Sequence, residues 1–303
     1  SVSGGWSSII QQASDAGKLQ AIDWYTGFDR PHTVFAGLIG GAFLAMASHG
    51  ADQLIVQRLL SSRSLREAQR ALIGSGFVVF VQFTLFLMVG VGLWVLYGGK
   101  PFTAADQIFP SFIIERMPHG LIGLIVAAIV AATMSTHSGT INALAAATTH
   151  DIYLPITGRS ADDPRTLKFG KMFALAWGIV LTIGALMFKE QGTPVVVIAL
   201  SIASFTYGGL LGGFSLGLFW RRAVQRDAIT GMSVGIGVMG FIVFAKQLVA
   251  AFPDLAPTLG GVATIAWPWY VLIGTSITFV TGMLSSFTHA APVEPRTVPE
   301  TRA

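Results

Sequence analysis

An all-α integral membrane fold is the prediction for this chain, and three observations carry it. Only 11% of its 303 residues are charged and 52% are apolar, against about 25% charged in soluble domains. Seven largely apolar runs of about 20 or more residues recur along it, each long enough for a hydrocarbon core about 30 Å thick. The connections between the runs alternate between rich and poor in Lys and Arg, the pattern of cytoplasmic and outer loops. Runs of this kind must be helical, because an open strand leaves its backbone unsatisfied in lipid, and the period-2 alternation of a barrel is absent.

Taken in order, residues 1–32 read as a polar segment outside the membrane with one short amphipathic turn, neither a signal peptide nor a span. The spans follow at roughly 33–57, 68–97, 120–148, 167–188, 194–219, 228–247 and 266–287. Ser64-Leu65-Arg66-Glu67 is a capping box, so the second helix begins inside its loop. Pro101, Pro110 and Pro118 interrupt the connection 98–119, where "DQIFPSFIIERMP" has the pattern of a short interfacial helix. "GGLLGG" (Gly208 to Gly213) and the pair Gly231 and Gly235 are small-xxx-small spacings that permit close helix crossings, and packing is their expected role. Residues 288–303 read as a disordered tail.

The alternating connections fix an expected orientation. Arg58, Arg63, Arg66 and Arg70, then Arg159, Arg165, Lys168 and Lys171, then Arg221, Arg222 and Arg226, and finally Arg296 and Arg302 lie on one side, 13 of the 19 basic residues. Lys18, Arg30, Lys100, Arg116, Lys189 and Lys246 lie on the other. The basic side is cytoplasmic by the positive-inside rule, which places the N-terminal segment outside and the C-terminus in the cytoplasm of a cell (inner) membrane. The net charge of +4 is thereby a topology signal, so the lipid bilayer and not nucleic acid is the expected partner. There is no cysteine, hence no disulfide framework. No phosphate loop, zinc spacing or intramembrane carboxylate pair is present, so no ATP hydrolysis and no cofactor is expected. The chain opens on Ser1 and reads as the C-terminal part of a longer protein.

Two polar clusters interrupt the apolar pattern. In "AAIVAATMSTHSGTINALAAATTHDIY" (Ala127 to Tyr153), a rotation of 100° per residue gathers Ala132, Ser135, Thr136, Gly139 and Ala143 on one small face. His137 and Ser138 fall beside that face. Two neighbouring hydroxyls and a freed carbonyl can replace part of the water around a hard monovalent cation, and neutral oxygens suit sodium. On spacing alone, back-bonded hydroxyls on a packing face explain the same pattern. In the first span, Ser48, His49, Gly50, Asp52 and Gln53 form a polar island. Gly50 there points to a local unwinding that lines a cavity. His49 and Asp52 are ionisable groups in lipid, functional candidates by default. Asp52 also has a structural reading, as partner of the arginine-rich end. Gln82 is a lone amide in the second span, open to a cavity role or an interhelical hydrogen bond. Asp151 and Tyr153 mark the end of the third span, as gate or interfacial anchor.

"GADQLIVQRLLSSRSLREAQRAL", "PHGLIGLIVAAIVAATMSTHSGTINALAAATTHDIY" and "GGFSLGLFWRR" resemble, in order, segments of the sodium/solute symporter family of sodium/glucose, sodium/proline and sodium/pantothenate transporters. The resemblance runs from about residue 33 to 287. It implies an inverted-repeat fold of two five-helix halves, of which this chain supplies core helices 6–12, the first half being missing. It implies a sodium site in which Ala132 contributes a carbonyl and Ser135 and Thr136 hydroxyls, completed by core helix 1. It places Ala45, Ser48 and His49 in the substrate cavity, with Gln82 as a further polar group. The Asn, Lys and Gln that sugar-transporting members carry correspond here to Ala45, Val79 and Leu200, so a sugar is not implied. The function implied is sodium-coupled symport of a small organic solute by alternating access, with Na+ as coupling ion and no enzymatic activity. Two other classes fit less well. An intramembrane serine hydrolase would pair Ser135 or Ser138 with His49, but "THSG" lacks the glycine two places before the serine that a GxSG motif needs. A membrane sensor domain would need further sequence beyond a short tail.

Overall fold

The computed structural model describes residues 4–188 and 194–290. Lys189 and the tail beyond residue 290, including Arg296 and Arg302, lie outside the described residues. Every regular element among those described is helical. Among the described residues, six helical stretches are long and apolar enough to cross a membrane: Leu65–Leu96, His119–Thr157, Pro164–Met187, Val195–Phe219, Gln225–Ala251 and Trp269–Thr288. The chain is a multi-pass membrane protein. It divides into two compact units, Ser1–Val95 with Val196–Ala303, and Leu96–Val195.

In the first unit, the N-terminal segment departs from a single turn. It forms an 11-residue helix, α1 (Gly5–Asp15), whose Ala13 is fully buried, while Lys18 lies over the Trp94 ring. The first apolar run is divided. A π-helical stretch Ala36–Gly40 leads into α2 (Gly41–Gly50), and α3 (Gln53–Leu60) restarts after Ala51 and Asp52. The break falls in the polar island, beside the poor helix former Gly50. Next, α4 (Leu65–Leu96) starts with one of the two bonds of the expected capping box, Glu67 N–H donating to Ser64 Oγ at 3.3 Å. Most of α4 is exposed, with Phe77, Val78, Leu85 and Phe86 turned outward, as a helix in hydrocarbon requires.

In the second unit, the proline-rich connection forms the short helix α5 (Ile108–Arg116). Pro118 caps α6 (His119–Ala147), which passes through a π-helical stretch Thr148–Tyr153 into α7 (Leu154–Thr157). Asp163 caps α8 (Pro164–Met187), its Oδ1 accepting from Arg165 N–H at 2.8 Å, with Pro at the first helical position where its missing donor costs nothing. Tyr153 packs its ring on Phe169 and Phe173 of α8, at centroid distances of 4.7 and 5.8 Å.

The interior of the first unit is built on glycine. In α9 (Val195–Phe219), α10 (Gln225–Ala251) and α12 (Trp269–Ser285), small residues let backbones meet directly. A Cβ on Gly208 would lie 2.8 Å from Gly274 Cα, and one on Gly212 2.5 Å from Thr278 Cβ. Between α10 and α12 lies the short helix α11 (Ala256–Ala263).

The last residues of α12 are tied back to the start of α10. Asp227, fully buried, accepts from Val224 N–H at 2.9 Å, Ser285 Oγ at 2.7 Å and His289 Nε2 at 3.0 Å. Arg222 donates to the carbonyls of Ser286 and His289, both at 2.8 Å. The expected tail therefore starts with residues that are held in place, Thr288 included. His289 has its pKa raised above the usual 6.5, first by its hydrogen bond to the Ala290 carbonyl and then by Asp227. A histidine raised on folding stabilises most when protonated: its contribution is full below the unfolded value and is lost as pH rises through the folded one. Thermal stability should therefore fall as pH rises above the usual histidine value of 6.5, and His289→Ala should flatten that dependence. Thermal unfolding followed as pH is raised through that value checks it.

Candidate functional site

The hydroxyl-rich face of α6 is open. Ala132, Ser135 and Thr136 are exposed, and a Cβ added at Gly139 would meet nothing within 4 Å. The reason lies in where α8 packs. Trp177 Nε1 donates to Thr148 Oγ1 at 2.9 Å, Ile141 lies against Gly178, and Thr149 against Gly170. Ile141 and Ala145 stand about 180° around the helix from Ala132 and Thr136 at 100° per residue, and Ala145 is buried. So α8 takes the opposite side and leaves the small face without a packing partner among the described residues of its own unit. His137 faces the α8 side, in a groove with Ile141, Ala174 and Gly178.

The hydroxyls of α6 mostly bond back along their own helix, Thr133 to Ile129, Thr140 to Thr136 and Thr136 to Ala132, the last at 3.1 Å. The Thr136 proton thus points at the carbonyl of Ala132, and its lone pairs are left outward. Three oxygens, the Ala132 carbonyl and the Ser135 and Thr136 hydroxyls, share one patch with no net charge.

In the first unit, the substrate-cavity candidates of α2 form one local network. Ser48 Oγ lies 3.2 Å from the Ala45 carbonyl and 2.8 Å from His49 Nδ1. His49 Nδ1 lies 3.1 Å from the same carbonyl. Nδ1 either carries the proton and donates to Ala45 or accepts from Ser48, so the tautomer and the hydroxyl are linked. In both arrangements Nε2 is left for other partners. The opposite face of α2 is anchored: Ala47 is fully buried with Leu211 of α9 and Val271 of α12, beside Phe43, Leu44 and Tyr207. Gln82 lies in a hollow on α4 among Phe77, Val81, Leu85 and Phe86, and no hydrogen bond among the described residues joins it to Ser48 or His49. Asp52 accepts a hydrogen bond from Tyr207 Oη at 2.6 Å. Tyr207 is not among the candidates the sequence offers; the one signal for it is a tyrosine hydroxyl inside "SFTYGGLLGG", because a buried O–H needs an acceptor.

The chain as a whole is similar to known proteins. The sodium:solute symporter family matches residues 2–235. The chain is similar to the sodium/sialic acid symporter SiaT of Proteus mirabilis, 29% identical over 241 residues that cover 78% of this chain and 49% of the relative. It is 30% identical to the sodium-coupled monocarboxylate transporter 2 of Bos taurus, over 77% of this chain and 39% of that one. Among solved structures, a substrate-bound, outward-open Na+-coupled sialic acid symporter superposes with a TM-score of 0.73 at 25% identity, covering 96% of this chain and 57% of the other. The chain spans about half the length of the curated relatives it matches. Those relatives are transporters.

Proposed function

This chain belongs to the sodium:solute symporter family, and from that we propose that it is part of a secondary active transporter that couples sodium to the uptake of a small organic solute. The observation that carries the reading is the open, uncharged oxygen patch of Ala132, Ser135 and Thr136 on α6. Neutral oxygens suit a single positive charge, and a small face without a packing partner among the described residues of its own unit leaves room for the helices of a full-length protein to complete the shell. Sodium entering there competes with the Thr136 proton for the Ala132 carbonyl, and the hydroxyl is free to rotate away. Sodium and solute then favour the same arrangement of the protein, since coupling requires differential affinity for its states.

Ala45, Ser48 and His49 are assigned to the solute cavity, with Gln82 and Asp52 as further polar groups on the same unit. Ser48 and His49 offer donors to an organic acid, and two of the relatives above are named for acids. Small carboxylates are accordingly the first solutes to test. The cell membrane, with the N-terminal segment outside and the C-terminus cytoplasmic, follows from the basic loops. Uptake of carboxylate solutes into proteoliposomes holding the full-length protein should rise with an inward sodium gradient. Equal uptake with potassium in place of sodium would contradict the proposal.

A further inference from the structure

The break between α2 and α3 is tied to α9 through the Tyr207 side chain. Asp52 belongs to both half-helices through its backbone. Its N–H donates to the Ala47 carbonyl at 3.1 Å and closes α2, while its own carbonyl accepts from Ile55 at 3.2 Å and Val56 at 2.9 Å and opens α3. Ala51 between them has left the helical region, at φ −125° and ψ −18°. Gly50 has open space where a side chain would stand. Such element-terminal residues are what a hinge consists of. The carboxylate at this hinge accepts from Tyr207 Oη at 2.6 Å, a bond joining residues 155 apart in sequence. The Tyr207 ring is seated against the buried cluster of Ala47, Leu211 and Val271. One side chain therefore touches both the anchored part of α2 and the joint beyond it.

We propose that Tyr207 is a positioning residue: its hydrogen bond to Asp52 clamps the hinge and sets how often α3 swings away from α9. The proposal rests on the reading of α2 as the solute-bearing helix. When the clamp is closed, α3 continues from α2 in a fixed direction. When it opens, α3 pivots about Ala51 and Asp52 while Ser48 and His49 stay seated through Ala47. A short O–H···O bond to a carboxylate is among the stronger hydrogen bonds, the more so away from water.

The chain holds no cysteine, which permits a direct test. Leu59→Cys, half-buried on the Asp52 side of α3, and, as control, Ser160→Cys in the connection before α8 are placed one at a time in a full-length protein without other cysteines, reconstituted in nanodiscs. The rate of labelling by a polar maleimide is then measured with and without sodium. Tyr207→Phe keeps the ring and its packing but removes the donor. It should raise labelling at Leu59→Cys about tenfold, leave Ser160→Cys unchanged, and shrink the effect of sodium on the rate. Asp52→Asn keeps an acceptor for Tyr207 and should fall between wild type and Tyr207→Phe. Equal labelling of Leu59→Cys in the wild type and Tyr207→Phe would overturn the clamp, as would an equal rise at both positions, which marks general loosening. Sodium-dependent uptake together with unchanged labelling sinks the clamp alone. A labelling change without sodium-dependent uptake supports the clamp and sinks symport.

Discussion

Replacing Ser135 or Thr136 by Ala in the full-length protein is expected to raise the sodium concentration for half-maximal uptake by about tenfold, the equivalent of about 1.4 kcal/mol. Each substitution removes one oxygen from the α6 patch and leaves the helix intact, since alanine is the best helix former. Thr136→Ala acts in two ways: it deletes a ligand, and it frees the Ala132 carbonyl from the 3.1 Å hydrogen bond it now accepts. The deletion dominates, because a carbonyl relieved of one donor regains only one lone pair while the shell loses a whole oxygen. Thr136→Ser should therefore behave much as wild type. Maximal uptake at saturating sodium should change less than the half-saturation point, which separates a binding defect from a folding defect. Alanine at Ser138, beside but not on the small face, serves as the matched control.

The second large effect concerns the packing of α9, α10 and α12. A side chain at Gly231 would run into the Thr278 carbonyl and lie 3.1 Å from Gly282 N and 3.2 Å from its Cα. These are backbone atoms, so no rotamer change relieves the clash. Gly231→Leu should cost about 1–3 kcal/mol or more and lower the thermal midpoint by several degrees, or prevent recovery of folded protein. At Gly237, six residues further along the same helix, a Cβ would meet nothing within 4 Å, and Gly237→Leu should leave the midpoint nearly unchanged. Thermal unfolding of the two variants in one detergent distinguishes packing at a crossing from a general intolerance of bulk in the helix. Equal midpoints would show that the crossing is not as close as described.

The helical, membrane-spanning character is legible in the sequence because lipid leaves few options: long apolar runs can satisfy their backbone only as helices. The helix start capped by Ser64 and the glycine spacings are legible for the same kind of reason, being local in sequence. The Ala132–Ser135–Thr136 face also follows from helical periodicity. What periodicity leaves open is whether that face packs, and the answer depends on the side α8 occupies, which Trp177 and Thr148 fix across 29 residues. The division of the first run at Asp52 is signalled by Gly50 and its polar neighbours. The acceptor role of Asp52 toward Tyr207 is not, because a bond between residues 155 apart leaves no local pattern. The N-terminal helix α1 shows in the sequence only as a turn, its 11 residues carrying too few apolar positions to reveal how Ala13 is buried. His289 falls in a stretch with the composition of a disordered tail, and its partner, Asp227, lies 62 residues away in the first turn of α10.

The most direct test of the central claim is equilibrium sodium binding to the purified full-length protein, which needs no knowledge of the solute. Wild type should bind sodium saturably, and Ser135→Ala and Thr136→Ala should each shift the isotherm to about tenfold higher concentration while Ser138→Ala does not. Isotherms that superpose for wild type and both variants would contradict a sodium site on this face of α6.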